Sequence, residues 1–177
     1  MKLFTRIQAR FHERGQIAAV RRHLCSPVLE VQAEALYLLV SLHDTWGLRR
    51  ALRHAEPWVR REAIKSLAPF NGARAARWLV HALTDTDRSV MHTAAECLGR
   101  MKDPKIFWAL RRCVASEDWL VRYHGTVGLA HLSGLSPEVD RLLATLAHDE
   151  QSWVRNTATQ ALRRSASHAC AGGEVSQ

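Results

Sequence analysis

The sequence contains no run of about 18 uncharged apolar residues, so no segment is long enough to cross a bilayer as a helix. Its first residues also lack the unbroken apolar core of a secretory signal: Lys2, Arg6, Arg10 and Arg14 are spread through them. A cytoplasmic chain is expected. Cysteine is sparse. Cys25, Cys97, Cys113 and Cys170 stand far apart with no CxxC pair, which fits neither a zinc site nor a secreted disulfide framework. With 9 glycines and 5 prolines the chain is not fibrous or of low complexity. No segment alternates with the period of two that marks a half-buried strand. Acidic residues are fewer than basic ones, 17 against 25, for a net charge of +8. Of that excess, +5 lies in residues 1–24. A nucleic-acid binder spreads its basic stripe along the surface that follows the phosphates, so charge gathered at one end argues against such a partner. A length of 177 residues fits one domain or one short repeat array and excludes a large multidomain enzyme.

What the sequence does have is a period. Val31, Val59, Val90, Val121 and Val154 recur at spacings of 28, 31, 31 and 33 residues. Four residues after each comes Ala35, Ala63, Ala94, Gly125 or Ala158, and eight after comes Leu39, Leu67, Leu98, Leu129 or Leu162. Eleven before stand Val20, Leu48, Leu79, Leu110 and Leu143, and seven before stand Leu24, Leu52, Leu83, Val114 and Ala147. Offsets of 0, +4 and +8 share one side of a helix, as do −11 and −7 on a preceding helix, so each repeat is a pair of helices. A small residue at +4 lets the paired backbones approach closely. Ser26-Pro27, Glu56-Pro57, Asp87 and Asp118 mark the starts of second helices. Asn71-Gly72, Asp103-Pro104 and Ser133 to Pro137 punctuate the junctions between repeats.

The segments Pro57-Trp58-Val59-Arg60-Arg61-Glu62-Ala63-Ile64-Lys65-Ser66-Leu67, Asp87-Arg88-Ser89-Val90 through Leu98-Gly99, and Trp153-Val154-Arg155-Asn156-Thr157-Ala158 through Leu162 resemble the HEAT repeat family. The resemblance is to its short bacterial subclass related to phycobilisome lyases. It spans about residues 15 to 165 and departs from the pattern at Gln32 and Met91, where the other repeats carry arginine. It implies an all-α, right-handed α-solenoid: five hairpins over residues 15–165, an N-terminal amphipathic capping helix within residues 1–14, and a disordered tail over 166–177. A solenoid repeat buries its apolar face only by stacking on neighbours, which leaves an extended concave surface lined by the second helices.

That surface is the expected binding site. The offsets +2 and +6 give Arg61 and Lys65, His92 and Glu96, Tyr123 and Val127, then Asn156 and Gln160. This row suits a protein or peptide partner: Arg61 and Lys65 recruit acidic groups, Tyr123 supplies a rigid apolar anchor, and the amides hydrogen-bond extended backbone. Arg60, Arg122 and Arg155 recur at +1, with Glu56, Asp118 and Gln151 four residues earlier. They are read as a structural ladder tying helix starts together. Trp58 and Trp153 precede their anchor valines and are expected to pack between repeats. The second helix of repeat one, with Ala33, Leu36, Tyr37 and Val40, is apolar nearly all round. The expected cover is the helix Lys2 to Glu13, whose Leu3, Phe4, Ile7 and Phe11 form an apolar stripe. The rival role for that basic helix is contact with an acidic partner or an anionic membrane surface.

Three enzyme comparisons follow from the resemblance. HEAT-like DNA glycosylases use concave Trp, Asp and Arg, and this concave row has no Trp or Asp. Deoxyhypusine hydroxylases bind iron through repeated His-Glu pairs, and here the sole such pair is His12-Glu13. Phycobilin lyase activity has no short motif to match. The sequence thus reads as a non-catalytic adaptor without a cofactor, with a lyase-like or glycosylase-like enzyme and a nucleic-acid-binding module as the alternatives.

Overall fold

Burial at every third or fourth position is what makes these segments helices, and the computed structural model, which describes residues 14–70 and 72–172, shows ten α-helices and no strand among them. They alternate as first and second members of five hairpins. These are α1 (Arg14–His23) with α2 (Leu29–Ser41), α3 (Thr45–Ala51) with α4 (Pro57–Leu67), and α5 (Ala73–Ala82) with α6 (Arg88–Arg100). The last two pair α7 (Phe107–Val114) with α8 (Trp119–Ala130) and α9 (Pro137–Leu146) with α10 (Ser152–Gly172). Short 3₁₀ turns occupy Ala68–Phe70 and Pro104–Ile106. The expected capping helix Lys2 to Glu13 lies outside the described residues. At the other end, where a disordered tail is expected over residues 166–177, α10 runs on to Gly172. The segment Arg163-Arg164-Ser165-Ala166-Ser167 contains no Gly or Pro to stop a helix.

The hairpins fall into two compact units that divide between Pro69 and Phe70. In the first, α2 packs on α1, α3 and α4. In the second, α8 is the central element, packed on its own partner α7 and flanked by α6 and α10. Val59, Val90, Val121 and Val154 are all buried, together with the small residues at +4 and Leu39, Leu67, Leu98 and Leu129 at +8. Val31 and Leu162, in the first and last hairpins, are half-buried.

The reason for a small residue at +4 is plain in the fourth hairpin. A Cβ on Gly125 would stand 2.6 Å from Cys113 Cβ and 2.9 Å from a Val114 methyl carbon, so α7 and α8 meet there backbone against side chain. Burial pushes the Cys113 thiol up to about 12, which makes it an inert apolar filler of that contact.

Asp87 and Asp118 cap α6 and α8 by accepting the backbone N–H groups of Ser89 and Val90, and of Leu120 and Val121. Ser26 acts differently from the expectation. It accepts the Val28 N–H, and α2 begins one residue beyond Val28, at Leu29. The same bond recurs in every hairpin. Five residues before the valine, His54, Asp85, Ser116 and Asp149 accept the N–H of Glu56, Asp87, Asp118 and Gln151 at 2.8 to 3.2 Å. Each turn therefore carries a side-chain acceptor that closes it, a device common to Asx and ST turns.

Candidate partner-binding surface

The residues at +2 and +6 lie on second helices, opposite the buried stripe. In the second unit His92, Glu96, Tyr123 and Val127 are half-buried, and Asn156 and Gln160 are exposed. Because α8 lies between α6 and α10, these six residues share three neighbouring helices. Arg61 and Lys65 belong to α4 of the first unit, half-buried and exposed respectively.

Several of these side chains have partners within the fold. His92 Nε2 lies 3.1 Å from Asp118 Oδ2, and Arg88 reaches the same oxygen at 3.4 Å, so the cap of α8 is tied to the preceding hairpin. Glu96 pairs with Arg100 at 2.8 Å, and Lys65 with Glu62 at 2.7 Å. Both are exposed ion pairs, which a ligand can exchange at little cost. Tyr123 sets its ring 5.3 Å from that of His124 at a 59° tilt. An open cleft of about 420 Å³ borders this surface, lined by Arg88, Met91, Ser116, Glu117 and Asp118.

The arginine ladder exists, with partners other than the residue four positions earlier. Arg60, Arg122 and Arg155 each aim Nη1 at two carbonyls of their own turn: His54 and Ala55, Ser116 and Glu117, Asp149 and Glu150. Gln32 does the equivalent through its amide, donating to the Ser26 carbonyl at 2.6 Å, so its departure from the pattern keeps the function. Arg122 does more. Its Nε and Nη2 grip Asp149 at 2.8 and 3.1 Å and Glu150 at 2.9 Å, both in the turn of the following hairpin. In the first unit Arg21 clasps Asp44, the residue before α3, at 2.6 Å through both nitrogens, and stacks 4.3 Å from the centre of the Trp46 ring.

Trp58 is half-buried, but Trp153, expected to pack between repeats, is 65% exposed. It stands in the first turn of α10. Tyr37 on α2 is also exposed, and the helix expected over it lies outside the described residues.

These contacts set a pH dependence. Burial raises the Asp118 carboxyl, but hydrogen bonds from His92 and from the Val121 and Leu120 amides outweigh it and leave the group below its ordinary 3.8. Asp149 is likewise held low, with Arg122 and the Gln151 amide overcoming its burial. A carboxyl more acidic in the folded state contributes stability that is complete above its unfolded value and is lost as pH falls through the folded one. In His124 it is burial itself that lowers the group. Burial, then the nearby charges of His92 and Arg100, lower it below 6.5 against the pull of Glu96. Its neutral form is favoured in the fold, so protonation of the unfolded chain erodes stability as pH falls below about 6.5. The melting temperature is therefore expected to decline in two stages on acidification, a shallow one below about pH 6.5 and a steep one below about pH 4. Burial lowers His131 as well, with Lys102 and Arg164 adding to it, so His124→Gln should shrink the first stage without abolishing it and leave the second; a first stage unchanged in that variant counts against the assignment.

With this geometry in place, the comparisons identify the class of protein. The family model for HEAT repeats matches residues 18–96, 45–130 and 77–163, and the chain belongs to that family. No curated protein sequence matches the chain. Among solved structures it is similar to the CpcE–CpcF complex of phycocyanin lyase from Nostoc sp. PCC7120, at 24% identity and a TM-score of 0.60, over 84% of this chain and 99% of that one. It is also similar to human deoxyhypusine hydroxylase, at 20% identity and a TM-score of 0.60, over 88% of this chain and 64% of that one. A designed armadillo repeat protein in complex with the peptide (KR)4 is similar at 16% identity and a TM-score of 0.58, over 85% of this chain and 82% of that one. At these identities the likeness shows the all-α solenoid fold alone. Among the described residues, no three His, Cys, Asp or Glu side chains are placed to hold a metal ion.

Proposed function

We propose that the chain is a non-catalytic adaptor that holds a segment of a protein partner against its second helices. The observation that carries this reading is the side-by-side placement of Tyr123 and Val127 with His92 and Glu96 on one flanking helix and Asn156 and Gln160 on the other. Tyr123 offers an amphipathic ring at low entropic cost, and the flanking amides and imidazole can pair with a peptide backbone. Arg61 and Lys65 give α4 a basic face of its own, where an acidic group of the partner can displace Glu62 from Lys65. The peptide held by the designed armadillo protein supports the use of such a surface for peptides.

Selection of displayed random peptides against the full chain tests the proposal. Peptides recovered with the native protein are expected to bind at least about tenfold more weakly to Tyr123→Ala/Asn156→Ala, the range for loss of one interfacial anchor. The melting temperature should stay within a few degrees, since neither residue is buried. Undiminished binding to that variant would remove the surface from consideration, and Arg61→Ala/Lys65→Ala would report separately on α4.

A further inference from the structure

The third rung of the arginine ladder is not an arginine. Arg60, Arg122 and Arg155 stand one residue after their anchor valines, and Gln32 fills the role in the first repeat, but the third repeat carries Met91 there. Methionine has no N–H to give to its own turn or to the next. One repeat later, Arg122 reaches Asp149 and Glu150, five and four residues before Val154. The residues five and four before Val121 are Ser116 and Glu117, so the third rung lacks its aspartate as well as its arginine. At that place lies the cleft of about 420 Å³ lined by Arg88, Met91, Ser116, Glu117 and Asp118. The third and fourth hairpins are tied instead by His92 and Arg88, which meet Asp118 Oδ2 at 3.1 and 3.4 Å. Glu117 is exposed, and its carboxylate has no hydrogen-bond or ion-pair partner among the described residues.

We propose that this cleft is a socket for an arginine side chain presented by a partner protein, which completes the ladder from outside. Its volume falls in the range of small-ligand clefts, about 300 to 1,000 Å³, so an arginine head and stem fit. The guest lays its aliphatic stem against Met91, an adaptable and polarisable wall. Its guanidinium turns to the Glu117 carboxylate, the counterpart of the Glu150 carboxylate that Arg122 holds at 2.9 Å. Ser116 and Asp118 border the same space, joined by the bond from the Asp118 N–H to Ser116 Oγ. Charge favours the guest: the lining carries two carboxylates and one cation, Arg88, whose side chain is 81% exposed and pairs with Asp118 at 3.4 Å. Such an exposed pair exchanges at little cost, so Arg88 can swing aside. Arginine fits better than lysine, because its planar fork makes paired bonds to a carboxylate while its face packs on apolar surface. The socket does not rest on the peptide-binding reading of the row around Tyr123, which takes no part in its lining.

The test is an NMR titration of the full chain, labelled with carbon-13 at its methionine methyl groups and with nitrogen-15 in its backbone. The chain has three methionines: Met91 is the reporter, assigned through Met91→Leu, and the buried Met101 is the internal reference. The probe is the peptide acetyl-Gly-Arg-Gly-amide. It is expected to shift the Met91 methyl signal saturably, with a Kd of about 1 mM, as befits a single anchor side chain. The same peptide with neutral citrulline, or with lysine, in place of arginine should bind at least about fivefold more weakly, as loss of a paired charge-assisted bond implies. Glu117→Gln should weaken the arginine peptide by a similar factor without moving the melting temperature, since Glu117 is exposed. Met91→Arg supplies the rung from within. The amide signals of Ser116 to Asp118 should then no longer respond to the probe, and the melting temperature should stand at or above the native value. Tyr123→Ala should leave the titration unchanged. No saturable shift, equal affinity for the arginine and citrulline peptides, or undiminished binding to Glu117→Gln would overturn the proposal. So would a loss of binding in Tyr123→Ala, which would assign the peptide to the other surface. Self-association that Glu117→Gln abolishes would put an arginine of a second copy in the socket and overturn the foreign partner.

Discussion

Arg122→Met is expected to be among the most damaging single substitutions in the chain, costing about 3 kcal/mol of stability, the lower part of the range for removing one partner of a buried ion pair. The side chains of Arg122 and Asp149 are each only 10% exposed, and the arginine donates five hydrogen bonds that join the fourth turn to the fifth. Methionine fills most of the space of the aliphatic stem, so what the variant loses is the fork, and what it leaves behind is a carboxylate held only by the Gln151 N–H and the more distant charge of Arg155. At 2 to 4 °C per kcal/mol for a chain of this size, the melting temperature should fall by about 6 to 12 °C. Lysine at this position keeps the charge but cannot span Asp149, Glu150 and two carbonyls together, so it should restore less than half. Pairing Arg122→Met with Asp149→Asn should cost well under the sum of the two single changes, because each alone leaves the other unsatisfied. A drop below 2 °C for the methionine variant would show that the turn-to-turn clasp contributes little.

The same contact shows what can be read from this sequence. The hairpins were legible because burial repeats with the helix period. Val59, Val90 and Val121 with their +4 and +8 partners, and Val154 with Ala158, all sit in the core, and the outward offsets on α6, α8 and α10 all keep access to solvent. The polar bonds were less so. One acceptor role, closing the turn five residues before the valine, is filled by serine, histidine or aspartate, and these look unrelated until the shared bond to the backbone is seen. Asp118 reads as the partner of Arg122 because helical spacing suggests it. Its oxygens instead cap α8 and receive His92 and Arg88 from the hairpin before, while Arg122 reaches 27 residues onward. A partner in the neighbouring repeat lies beyond any within-helix spacing rule. His92 was thus legible as a residue of the outward row but not as a tie between two hairpins. Trp153 matches Trp58 in register, yet the first is exposed and the second half-buried.

Gly99→Ala is the second change expected to have a large effect, and it runs against local propensity. Alanine in a helix interior is favoured over glycine by about 1 kcal/mol, so a sequence argument alone makes this substitution stabilising. The fold reverses the sign. A Cβ on Gly99 would lie 2.3 Å from the carbonyl oxygen of His124 and 3.1 Å from its carbonyl carbon, both main-chain atoms of α8 that no rotamer change can move aside. On the facing helix, a Cβ at Gly128 would come within 3.2 Å of Gly99 Cα, so α6 and α8 meet there with almost no side chain between them. Adding one methyl group forces the two helices apart along the contact that also carries the His92 to Asp118 bond. Overpacking of this kind costs about 1 to 3 kcal/mol, and the upper end less the propensity gain leaves a net loss of about 2 kcal/mol. Chemical denaturation with the native slope preserved would measure it. A variant as stable as the native chain would mean that α6 and α8 can separate by several tenths of an ångström without losing the bonds around Asp118, and that the tight glycine seam does not hold the second unit together.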